Sequence, residues 1–108
     1  ARPRARMSLH IFPTKDPAEI VFVAFDFSGE IEEGERLTGT PVVTVSLLSG
    51  ADANPSALLG GSAAIAGASV LQTISGGVDG AIYKLRCRAA LDSGRVLVLA
   101  STLPVRAA

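Results

Sequence analysis

The sequence has no tryptophan, and only one each of cysteine, histidine, methionine and tyrosine. Each shortage removes a class of chemistry. A single cysteine, Cys87, excludes an intrachain disulfide and any cysteine-based metal cluster. A single histidine, His10, has no second ligand at metal spacing and no partner to orient it as a general base. Ser93 stands beside Asp92, but a nucleophilic triad would have to recruit His10 from the far end of the chain. The G-x-x-x-x-G-K-[ST] phosphate loop, the G-x-G-x-x-G dinucleotide fingerprint and the Asp-x-Asp-x-Asp-Gly calcium spacing are all missing. Charge is scarce too: 19% of residues are charged, with 10 Lys+Arg against 10 Asp+Glu, so the net charge is zero. No overall field favours nucleic acid or an acidic membrane. No apolar run approaches the roughly 18 residues of a transmembrane helix. The basic start, ARPRARMSLHIF, lacks an apolar core and a cleavage site, so a signal peptide is not expected and synthesis in a cytoplasm is. The expectation is a protein that is not an enzyme, with no catalytic residue, no metal and no cofactor.

What is present is apolar alternation. The 108 residues suit one domain with one core, and 48% hydrophobic residues argue against disorder. So apolar a surface with no net charge favours association, so neighbours are expected to cover part of it. The organising stretch is residues 81–105, AIYKLRCRAALDSGRVLVLASTLPV. It reads as two strands and a tight turn. Over residues 81–89, Ala81, Tyr83, Leu85, Cys87 and Ala89 share one face, while Lys84, Arg86 and Arg88 share the other. That period of two fits an antiparallel strand and not a helix. In the turn Leu91-Asp92-Ser93-Gly94, Asp92 can bond its own backbone and Gly94 tolerates positive φ. Residues 95–101 alternate Val96, Val98 and Ala100 against Leu97, Leu99 and Ser101, so both faces are expected to be covered. Cys87 is expected in the core, and Tyr83 to point inward with its hydroxyl bonded near the end of the fold.

Upstream, residues 11–17 carry Pro13 and Pro17, which favour an extended edge segment or a turn, with Phe12 tucked under the rim. Residues 19–27, EIVFVAFDF, give the strongest strand signal. Val21, Val23, Phe25 and Phe27 face one way; Ile20, Phe22, Ala24 and Asp26 face the other. With three of the four phenylalanines, this strand is expected to supply much of the core. Further strands are expected at residues 40–48, 62–66 and 69–75, with glycine-rich turns at residues 49–61 and 76–80. The total is about seven strands with turn signals between them. The expected class is all-β, an immunoglobulin-like β-sandwich with an extended N-terminal arm, divided as arm 1–14 and sandwich 15–108. Tyr83 precedes Cys87 by four residues rather than two, and no Trp or second Cys exists, which excludes a true antibody-type domain.

Two stretches are candidates for partner contact. Arg2, Arg4 and Arg6, with Ile11 and Phe12, could remain a solvated arm or order against a neighbouring subunit by pairing arginines with carboxylates. Three arginines without an aromatic partner are a weak nucleic-acid signal. Glu30, Glu32, Glu33 and Glu35 lie in the glycine-flanked loop of residues 28–39. Catalytic carboxylates need burial to split their pKa values, so this run reads as a solvated loop available for subunit contacts.

Some residues carry a resemblance. Lys15-Asp16-Pro17-Ala18-Glu19 followed by Phe25-Asp26-Phe27-Ser28 resembles the opening of a group of small phage structural proteins. Gly80-Ala81-Ile82-Tyr83-Lys84-Leu85-Arg86-Cys87-Arg88, Ser93-Gly94-Arg95 and Val105-Arg106 resemble that group's closing strands. The resemblance covers residues 15–106, with Phe27 where a Trp is common and an Ala/Gly-rich middle of its own. It implies a fibre–tail adaptor of tailed phages with an immunoglobulin-like fold, located in the virion tail and assembled in the host cytoplasm. Expected partners are the tail tube or nozzle, tail fibre proteins and further copies of the chain, with no nucleic acid and no membrane. The rival readings are a capsid decoration (cement) protein, separable by copy number, and a carbohydrate-binding module, which would need a row of exposed aromatics.

Overall fold

The computed structural model describes residues 11–108; Arg2, Arg4, Arg6 and His10 lie outside the described residues. Among these residues six strands form: β1 (Ile20–Asp26), β2 (Leu37–Ser49), β3 (Ala64–Ala66), β4 (Ser69–Ser75), β5 (Ile82–Leu91) and β6 (Val96–Pro104). They make two three-stranded antiparallel sheets, ordered β1-β4-β3 and β2-β5-β6. The fold is all-β, as the alternation requires. A single 3-10 turn, Pro55–Leu58, interrupts the connection between β2 and β3 and buries Leu58.

Register follows from which face is apolar. In β5 every inward residue from Tyr83 to Leu91 is buried and Ile82, Lys84, Arg86 and Arg88 point outward. Slipping this strand by one residue would bury three cations, so the pairing has one solution. Cys87 sits between Val43 of β2 and Leu99 of β6. Burial pushes its thiol up to about 11, so it is an inert packing residue rather than a nucleophile. Across the core, Val23 and Phe25 of β1, then Phe27, meet Val70 and Ile74 of β4 and the inner face of β5. Among the described residues, Gln72 is one of three buried polar residues, with Lys15 and Ser101. Its Nε2 donates to the Gly61 carbonyl at 2.9 Å and the Thr73 carbonyl at 3.0 Å, which offsets its burial.

Two expectations need correction, those for the cover of β6 and for the phenylalanines. The segment near Phe12 is extended, as expected, and joins the edge of β6 through isolated parallel bridges, Ile11 to Thr102 and Lys15 to Val105. Phe12 N–H donates to the Thr102 carbonyl at 2.8 Å, and its ring meets Phe25 edge-on at 5.4 Å between centroids. The outer face of β6 is not fully covered, since Val96 is exposed. Of the three phenylalanines of residues 19–27, only Phe25 and Phe27 reach the core; Phe22 is 75% exposed. A two-layer sandwich buries one face of each sheet, and among the described residues no third layer covers the other.

Candidate partner-binding surfaces

The acidic loop is partly built in. Glu35 is a structural clamp. Its Oε1 accepts from Arg95 Nη2 at 2.6 Å and its Oε2 from Arg95 Nε at 2.9 Å, a fork-on-fork pair. Ser93 Oγ donates to the same carboxylate, and Arg95 Nη2 also reaches the Glu30 carbonyl at 3.0 Å. Asp92 completes the corner by accepting from Arg36 N–H at 3.0 Å, rather than bonding its own backbone. The Ser93-Gly94-Arg95 turn therefore holds the β1–β2 loop, and Gly94 supplies the φ of 98° the turn needs. Glu32 and Glu33 remain exposed.

Arg95 above all, then Ser93 and the loop backbone, hold Glu35 at about 2 against an ordinary 4.5. A depressed carboxylate pKa means that the clamp acts fully above about 4.5 and is lost as pH falls towards 2. Glu35→Gln is therefore expected to flatten the acid limb of the stability profile. Thermal melts from neutral pH down to that range read this directly, and an unchanged limb would count against the clamp.

The resemblance motif at Lys15 is likewise a corner. Lys15 is 1% exposed, and its Nζ donates to the Gly76 carbonyl at 2.6 Å and the Asp16 carbonyl at 2.9 Å. Burial lowers its pKa from 10.5, while Glu19 and Asp16 oppose that shift. Asp16 accepts from Ala18 N–H and from Ala108 N–H, both at 2.8 Å, and Glu19 accepts from Asp16 N–H at 2.8 Å. At the same end, Tyr83 donates to Asp52 Oδ2 at 2.6 Å and accepts from Val78 N–H at 3.0 Å. Burial, then Asp52, raises the Tyr83 pKa. Among the described residues, no group of three or more His, Cys, Asp and Glu could hold a metal, and no helix is long and apolar enough to cross a membrane.

One exposed apolar surface was not singled out from the sequence. Ile20 is 74% exposed and Phe22 75%, both on β1, the edge strand of its sheet. Ala24 of the same strand, with Ala64 and Ala66 of β3, is exposed on this outer face as well. Beside Phe22, a groove of about 290 Å³ opens between β1 and residues 13–15, lined by Pro13, Val21, Val23 and Leu103 and at its polar side by Thr14, Lys15 and Glu19. The alternation of residues 19–27 places Ile20 and Phe22 together; the missing signal is that both stand exposed. Of the candidates named from sequence, Ile11 is exposed at the β6 edge, Phe12 is committed to Phe25, and Glu35 to Arg95.

No curated protein matches the chain. A family model, podophage GP4 fiber-tail adaptor protein gp77, matches residues 15–104. That span takes in the Lys15 corner, all six strands and the Glu35–Arg95 clamp. The chain belongs to the podophage GP4 fiber-tail adaptor protein gp77 family.

Proposed function

We propose that this chain holds a tail fibre to the tail tube or nozzle of a phage virion through non-covalent contacts, with no catalytic role. It assembles in the host cytoplasm and acts in several copies. The observation that carries this reading is the exposed Ile20–Phe22 pair on an edge strand, beside a mainly apolar groove, in a member of an adaptor family. A large exposed aromatic next to a concave apolar wall is what a binding hot spot requires. The outer edge of β1 also offers backbone groups to an incoming strand. The arm residues Arg2, Arg4, Arg6 and Ile11 and the loop residues Glu30, Glu32 and Glu33 are read as secondary contacts around that centre.

The sandwich is read as immunoglobulin-like on connectivity. An immunoglobulin constant-type domain has sheets ABED and CFG. Assigning B to G in chain order to β1–β6 places B-E-D in one sheet and C-F-G in the other. Tyr83, at the start of the F-equivalent strand, bonds Val78 five residues upstream, the geometry of a tyrosine corner. A carbohydrate-binding reading is weaker, because Phe25, Phe27 and Tyr83 are buried and Phe22 has no aromatic neighbour on its face.

The test is the phage carrying Ile20→Ser and Phe22→Ser. Both side chains are exposed, so the purified variant is expected to melt as the wild type does. Fibre attachment, scored by electron microscopy of particles, is expected to drop at least about tenfold, the effect of losing one hot spot. A folded variant whose particles keep their fibres would end the proposal.

A further inference from the structure

The outer face of the second sheet differs in chemistry from that of the first. Its middle strand, β5, points Lys84, Arg86 and Arg88 outward, and all three are exposed. Alternate residues of a strand lie roughly 7 Å apart, so the row spans about 14 Å. No carboxylate lies opposite it in β2 or β6, where the partners are Ser, Thr, Ala and Val. Among the described residues none of the three cations forms an ion pair, and residues 1–10 contain no Asp or Glu to supply one. Exposed apolar side chains bracket the row. Val42 of β2 and Val96 of β6 stand at its Arg88 end, and Ile82 of β5 and Leu48 of β2 at its Lys84 end.

The combination selects the occupant. A row of cations needs anions, and apolar side chains at both ends need a partner that excludes water. Nucleic acid meets only the first need: its phosphates stay hydrated, and its bases stack on aromatic side chains, none of which lies on this face. The same face of a second copy, turned against this one, would set cations against cations. A protein surface with carboxylates set among apolar side chains meets both needs.

The orientation of the face names the side of the assembly. The two sheets pack over one core, so their outer faces point in opposite directions. A body that joins two others uses opposed surfaces. The inference rests on the reading above, in which the Ile20–Phe22 face of the first sheet takes the fibre. We infer that the Lys84–Arg86–Arg88 face seats on the tail-side protein, against a surface of carboxylates among apolar side chains.

The test is a phage carrying K84E/R86E/R88E, with this chain and the fibre protein quantified by mass spectrometry of purified particles. The chain is expected to fall at least about tenfold per particle, and the fibre with it, because anions then oppose anions. The phage carrying Ile20→Ser and Phe22→Ser is expected to lose the fibre and keep the chain. The neutral variant K84Q/R86Q/R88Q is expected to be depleted less, and circular dichroism of each purified variant checks its fold. A folded K84E/R86E/R88E chain that enters particles at the wild-type level would overturn the inference. So would particles of that phage that keep the chain and lose only the fibre. Self-association or duplex DNA binding by the wild-type chain that K84E/R86E/R88E abolishes would overturn it too, since the occupant would then be a second copy or nucleic acid. The two readings fail separately: fibres kept by the Ile20→Ser, Phe22→Ser phage sink the fibre face, whereas the chain kept by the K84E/R86E/R88E phage sinks the basic one.

Discussion

Phe25→Ala is expected to cost about 3–5 kcal/mol, the range for emptying a buried aromatic site. Phe25 is 3% exposed, faces Val70 across the sheet and receives the edge of Phe12. That aromatic contact accounts for roughly 0.5–1.5 kcal/mol beyond burial. A domain of this size has only about 5–15 kcal/mol of stability in all, and each kcal/mol moves the melting temperature by roughly 4–8 °C. The variant is therefore expected to melt at least about 12 °C lower. Phe22→Ala, three residues earlier on the same strand, removes an exposed ring and is expected to stay within about 0.5 kcal/mol of wild type. Urea unfolding of both proteins gives the comparison. Equal losses would mean that the face assignment of β1 is wrong.

Gly50→Ala is the second large effect. Gly50 has φ of 93°, which a side chain resists, and a Cβ placed there would lie 2.8 Å from the Cα of Ala81. Ala81 is buried, so its backbone has nowhere to retreat. Backbone strain and overpacking each contribute roughly 1–3 kcal/mol, so about 3 kcal/mol in total is expected. The displacement should travel along the loop to Asp52 and pull it from Tyr83. The Tyr83 phenol pKa, raised in the folded protein, should then fall back towards 10.0, readable by ultraviolet titration. Gly34→Ala is the control: its φ is 86°, but nothing lies within 4 Å of the added carbon, so strain acts alone and the loss should be smaller. Equal losses at the two sites would remove the close approach to Ala81 as the cause.

Much of the fold was legible because side-chain alternation is a local property. The inward set of β5 and the bounds of β4 follow from residue types within a few positions. The candidate surfaces were less legible, and for a consistent reason. Glu35 reads as one more acid in a solvated run until Arg95, 60 residues away, is folded onto it. Lys15 reads as an ordinary surface cation until the Gly76 carbonyl, 61 residues away, caps it. Phe22 reads as core until the number of layers is known.

By itself, the sequence determined the class of structure: alternating apolar residues with glycine-rich turns build antiparallel sheets, and the shortage of histidine and cysteine leaves little material for a reactive centre. Tertiary structure alone decided which charges are spent inside the molecule and which apolar face stays open. Pairing and burial depend on contacts between residues far apart in the chain, and a local pattern carries no record of them.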